Sequence, residues 1–225
     1  MAKNKLQHFA DMKTMPFVFE PNTNTMIADR FDMKGNWGRF FKNDNPVVVE
    51  LGCGKGEYTI ELAKLNPNIN YIGIDIKGAR IWYGADEVRQ KEMNNVAFVR
   101  TKVDFVTSVF ETNEVDEIWL TFSDPQKEKP RKRLTGSLFI ERYKAILKPG
   151  GVIHLKTDSD LLFEFTLEEI AEHGYEKIVE SWDIYNDLIP KLGKEEADIL
   201  NIKTTYESIF SAKGYSIKYC QFKIN

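Results

Sequence analysis

From residue 46 onward, apolar positions fall into short runs separated by glycine loops and by stretches of helical period. VVVEL, residues 47–51, is a β-branched run with the length of one buried strand. GCGKGEY follows as a turn. TIELAKL then sets Ile60, Ala63 and Leu65 on one helical face, and Pro67-Asn68 closes the unit. NYIGIDI predicts a second strand and ARIWYGADEVRQKEM a helix. VAFVRTKVD and DEIWLTFSD predict a third and a fourth strand. FIERYKAIL predicts a helix, which Lys148-Pro149-Gly150-Gly151 ends as a stop and turn signal. VIHLKTD reads as a fifth strand and LLFEFTLEEIAEHG as a helix with a glycine stop. YEKIVESWDIY and GYSIKYCQFKI are late strand candidates around a helical TTYESIFSAKG. Strands alternating with helices predict a doubly wound, mostly parallel α/β sheet with right-handed crossovers.

The first 45 residues break this pattern. They read as a polar, partly irregular arm with Lys3, Lys5, Lys13 and two prolines, and Trp37 to Phe41 is a candidate short helix. The chain therefore divides into an N-terminal arm, 1–45, and one domain, 46–225. At 225 residues it is long enough to bury a full core. The longest apolar runs are too short to span a bilayer, and no secretory leader pattern opens the chain. The expected compartment is the cytosol, with no membrane partner. Cys53 and Cys220 suggest no disulfide framework. His8, His154 and His173 show no zinc-ligand spacing, so no metal is expected.

Candidate chemistry starts at the glycine loop. Gly52, Gly54 and Gly56 stand at a strand-to-helix turn, where glycine lets the backbone bend sharply and approach a ligand. The spacing GxGxG is one residue short of the dinucleotide fingerprint GxGxxG. Glu50 before the loop would repel a pyrophosphate and suits a cationic ligand. Asp75 ends the second strand 19 residues after Gly56, where a ribose-binding acid belongs. Asp104 follows the third strand and is placed to reach an adenine amino group. A ligand with a ribose, an adenine and an amino acid but no phosphate is S-adenosylmethionine.

Asp124 ends the fourth strand, at the same crevice. Directly after it, Lys127, Lys129, Arg131, Lys132 and Arg133 put five cations into a chain of net charge −3. Such a run neutralises phosphates, which points to a nucleic-acid substrate. Asp158, after the fifth strand, adds a carboxylate at the same rim.

These residues resemble the bacterial tRNA (guanine-N7)-methyltransferases over nearly the whole chain from about residue 46. The matching pieces are VELGCGKGEYTIELA, YIGIDIKGAR, FSDPQKEKPRKRL, LKPGGVIHLKTD and TTYESIF. FSDP with its basic tail and T-x-Y-E near the C-terminus are the specific ones. The resemblance implies a Rossmann-like class I methyltransferase fold, a seven-stranded sheet with an antiparallel C-terminal strand. It implies transfer of a methyl group from S-adenosylmethionine to N7 of the variable-loop guanine, position 46 by tRNA convention. Glu50, Asp75, Asp104 and Asp124 would lie at the methyl donor. A lysine after FSDP, Asp158, and Thr204, Thr205, Tyr206 and Glu207 would meet tRNA. Gln126 stands where the family carries an aromatic residue and the loop is shorter, so Lys127 and Lys129 both remain candidates, with Lys127 nearer Asp124. The partner is tRNA, and a monomer and a homodimer are both compatible with the sequence.

Competing readings are a methyltransferase of another RNA position, of a small molecule or of a protein, and a non-catalytic tRNA-binding module of the same fold. An exocyclic-amine methyltransferase would carry a second proline and a stacking aromatic after Asp124-Pro125, where this chain has Gln126-Lys127. An NAD-dependent oxidoreductase fits neither the GxGxG spacing nor Glu50.

Overall fold

The computed structural model describes residues 2–224. Along the chain the elements are α1 (Ala2–Met12), β1 (Val18–Phe19), α2 (Thr23–Ile27), α3 (Trp37–Phe41), β2 (Val47–Leu51), α4 (Glu57–Leu65) and β3 (Asn70–Asp75). Then come α5 (Gly78–Gln90), β4 (Val96–Arg100), α6 (Val106–Val109), β5 (Val115–Thr121), α7 (Ser137–Ile146) and β6 (Leu147–Thr157). The chain ends with α8 (Asp160–His173), β7 (Glu176–Ser181), α9 (Lys194–Leu200), α10 (Thr205–Ser211) and β8 (Lys218–Lys223).

The strands form one eight-stranded sheet in the order β1-β4-β3-β2-β5-β6-β8-β7. From β2 the chain builds outward through β3 and β4, then returns to place β5 on the other side of β2. That reversal between β2 and β5 leaves a crevice at the carboxyl ends of the strands, the place where open α/β sheets bind ligands. β8 runs antiparallel between β6 and β7, as the family resemblance implies. The sheet has one strand more than expected: β1 adds two residues beside β4.

Both faces of the sheet are covered because its strands are apolar on both sides. One face, with Val49, Ile72, Ile118 and Ile153, packs against α6, α7 and α8. The other, with Val48, Phe98 and Trp119, packs against α4, α5 and the segment before α10.

The N-terminal 45 residues carry the expected short helix, α3, and pack on the sheet domain: Trp37 is fully buried, its indole N–H donates to the Val109 carbonyl at 3.1 Å, and Phe19, Phe40, Phe41 and Phe110 surround the ring. Two expectations are corrected. Lys148-Pro149-Gly150-Gly151 does not separate helix from strand. Leu147 pairs with Val115 and Val152 with Glu117, so residues 148–151 bulge out of an already started β6, with Gly150 at φ 78°. The third and fourth strands stop early, at Arg100 and Thr121, and their predicted tails become the loops that carry Asp104 and Asp124.

Candidate active site

The glycine loop is fixed by its backbone. Gly52, Gly54 and Gly56 have φ of 80°, 57° and 71°, a region that side chains disfavour. A Cβ on Gly52 or Gly54 would meet nothing within 4 Å, so that side of the loop faces open space. A Cβ on Gly56 would lie 2.6 Å from the Phe98 ring, so this third glycine seats the loop on β4.

Asp75 ties down the loop, and Glu50 ties β2 to α4 and β5 beside it. Asp75 accepts from the Gly54 N–H at 2.9 Å and from the Lys77 N–H at 2.7 Å. Glu50 is buried at the end of β2; it accepts from the Thr59 N–H at 2.9 Å and from the hydroxyls of Thr59 and Thr121. Burial pushes its carboxyl up to about 7, against the hydroxyl bonds that favour the ionised form.

Glu50, the glycine loop, Asp75, Asp104 and Asp124 line one crevice of about 790 Å³. Asp104 lies in a helical turn after β4, with Arg142 Nη1 3.9 Å from its carboxylate. Asp124 is exposed and accepts from the Gln126 N–H at 2.9 Å. The backbone on either side is strained: Phe122 and Gln126 both have positive φ, at 50° and 47°. Ser123 Oγ is buried between them without a hydrogen-bond partner.

The basic run splits. Arg131 and Lys132 line the crevice, and Lys127 and Lys129 border a smaller hollow beside Asp124. Arg133 is buried instead, donating from Nε to the Pro125 carbonyl at 3.0 Å, with its guanidinium 4.5 Å from the Phe165 ring centre. It staples the loop to α8, so four of the five expected phosphate cations are free for that role.

The late segment also divides. Thr204 and Tyr206 line the crevice. Thr205 donates from N–H to Glu57 at 2.9 Å and receives the Lys55 ammonium on its hydroxyl at 3.3 Å, which ties it to the glycine loop. Glu207 is fully buried, facing Lys156 and Tyr185. Asp158 is half-buried beside Lys218 and Asp160, outside the crevice lining, and burial raises its carboxyl above the usual range. Sequence reasoning missed Lys55, Lys77, Arg80 and Lys102, which add cations to the lining of the same crevice. Their signal is weak because they are scattered over three loops and the first turn of α5.

Residues 44–219 match the profile of a family described as "Putative methyltransferase". A tRNA (guanine-N(7)-)-methyltransferase of Bacteroides fragilis (strain YCH46) is 50% identical over 99% of this chain and 86% of its own length. One from Christiangramia forsetii is 45% identical over 99% of both chains. In fold the chain is similar to the crystal structure of the 16S rRNA methyltransferase KamB. The TM-score there is 0.64 at 13% identity, over 85% of this chain and 93% of that one. The chain belongs to the family of tRNA (guanine-N(7)-)-methyltransferases.

Proposed function

We propose that the protein transfers a methyl group from S-adenosylmethionine to N7 of the variable-loop guanine of tRNA, in the cytoplasm. The observation that carries the reading is the single crevice joining the glycine loop, Asp75 and Asp124 with the basic loop. The crevice suits this methyl donor. Open space over Gly52 and Gly54 admits a ligand against bare backbone, and Asp75 keeps acceptor capacity for ribose hydroxyls beyond its two loop bonds. Glu50 at the base, raised to about 7, favours a cationic group once it is ionised.

When bound, S-adenosylmethionine supplies an electrophilic methyl group. The chain has little proton chemistry to perform, because guanine N7 offers a lone pair in the neutral base and no general base is required. The work of the protein is placement. Asp124 lines both the crevice and the hollow beside the basic loop; its role is to orient the base, either by accepting hydrogen bonds from the guanine N1 and N2 edge or by offsetting the positive charge that forms on the base. Lys127, Lys129, Arg131 and Lys132 hold phosphates. Thr204 and Tyr206 form the opposite wall, and the guanine leaves its stack to reach them.

The test is transfer from methyl-labelled S-adenosylmethionine to a tRNA transcript, followed by nucleoside analysis. The expected product is 7-methylguanosine alone. Label on an exocyclic amine or a ribose hydroxyl would overturn the mechanism, and no transfer would favour a binding module.

A further inference from the structure

Residues 201–204, between α9 and α10, have no regular structure, yet Thr204 and, in the first turn of α10, Tyr206 both line the crevice. What holds it lies beneath. Lys156, on β6, is completely buried. Its ammonium donates to the carbonyls of Leu200 and Ile202, both at 2.8 Å, and meets the Glu207 carboxylate at 2.9 Å. Two hydrogen bonds and one ion pair thus tie the ammonium to three points between the end of α9 and the first turn of α10. The other Glu207 oxygen takes the hydroxyl of Tyr185, which belongs to the helical turn Ile184–Leu188 anchored by the Ile184 N–H on the Ile217 carbonyl at 2.9 Å.

The local pattern alone would assign Glu207 another task. Thr204 caps α10 by accepting from the Glu207 N–H at 3.1 Å, the first half of a capping box. The second half would send the Glu207 side chain back to the cap, and here it turns inward to Lys156 instead. A buried ion pair is a poor source of stability compared with apolar packing of similar volume, because both charges lose their water. Burial is felt at Lys156, whose ammonium is pushed down to about 8. What the pair supplies is register: a lysine reaching two carbonyls and one carboxylate admits a single placement of residues 200–207.

We propose that Glu207 is a positioning residue that does not touch the guanine, and that with Lys156 and Tyr185 it fixes Thr204 and Tyr206 on the crevice wall. This rests on the guanine-methylating reading above, and it assigns Glu207 to the wall's foundation in place of substrate contact. A second tie, from Thr205 to Glu57 and Lys55, joins the same wall to the glycine loop.

The test uses the full chain, S-adenosylmethionine and a tRNA transcript, with Tyr185→Phe, Glu207→Gln and the double variant Lys156→Met/Glu207→Leu. Each should raise KM for tRNA, by about fivefold for the two single changes, with kcat within about twofold of the parent. Amide hydrogen exchange should quicken from Ile202 to Tyr206. Adding Tyr185→Phe to Glu207→Gln should add little, because both act through one carboxylate. Tyr185→Phe removes only a hydroxyl, so it decides the matter if the double variant fails to fold. A fall in kcat at unchanged KM for Glu207→Gln, or unchanged KM and exchange in Tyr185→Phe, overturns the inference. Failure of the parent protein to methylate guanine N7 would overturn the functional reading instead, while the exchange data would still report on the positioning.

Discussion

The two halves of the crevice are built in opposite ways. Around the glycine loop, Glu50 and Asp75 are committed to backbone and hydroxyl donors, and Phe98 lies directly beneath Gly56. Around Asp124 the chain is exposed, two residues hold positive φ, a buried serine hydroxyl lacks a partner, and four cations face solvent. One half is shaped before any ligand arrives; the other carries unpaired polar groups and charge. A small donor of fixed structure suits a preformed cradle, whereas a large polyanion is gathered by charge and then placed.

The largest effect that would break this division is on tRNA binding. Replacing Lys127, Lys129, Arg131 and Lys132 with Ala should weaken tRNA binding on the order of 100-fold and flatten its salt dependence by about one unit of slope for each phosphate no longer neutralised. Filter binding over a salt series checks this. An unchanged slope would make those cations a solvated face. Arg133→Ala belongs to another class: it should lower Tm because the Phe165 ring loses the guanidinium packed on it.

Next comes Asp75→Ala, which frees the Gly54 N–H and, on the proposed reading, removes the acceptor of the ribose hydroxyls. Calorimetry should show S-adenosylmethionine binding weakened by about 1.5–3 kcal/mol, with tRNA affinity unchanged. The glycines sharpen the same half. Gly56→Ala drives a methyl into Phe98 as well as straining φ and should destabilise by about 1–3 kcal/mol more than Gly54→Ala. In Gly54→Ala the loss is the backbone penalty alone, about 1–2 kcal/mol. Equal Tm values for the two would show that Phe98 yields.

The smallest effect is pH-dependent. Glu50 is raised from an ordinary 4.5 to about 7. Between those values the folded carboxyl keeps a proton that the unfolded one loses. Its contribution to stability is therefore fully present below about 4.5 and lost as pH rises through about 7. A cationic group of the methyl donor favours the ionised form, so S-adenosylmethionine affinity should fall as pH drops below 7, by at most about tenfold per pH unit. Glu50→Gln should flatten that profile. A parent profile already flat from pH 8 to 6 would remove Glu50 from contact with the ligand.

Legibility in the sequence follows the same division. Gly52, Gly54, Gly56 and Asp75 are readable because a strand, a loop and a second strand end lie within 29 residues of chain. Asp124 is readable because it closes a strand. The bulge at residues 148–151 is hidden, since Pro-Gly-Gly signals a turn equally well inside a strand margin. Arg133 looks like its neighbours because a charge run carries no period that marks which member turns inward. Lys156 and Glu207 are 51 residues apart and paired only by the fold. Trp37 and its phenylalanines sit among polar residues and give no strand or helix period long enough to announce a core.

Asp124 is where the two halves meet, and the most direct measurement is single-turnover methyl transfer by Asp124→Asn at saturating tRNA and S-adenosylmethionine. The rate should fall on the order of 100-fold, as for loss of one charge-stabilising group in a preorganised site, while both affinities stay within about twofold of the parent. A single-turnover rate equal to the parent's would contradict the account, because the methylated base would then form without the carboxylate that is held to orient it.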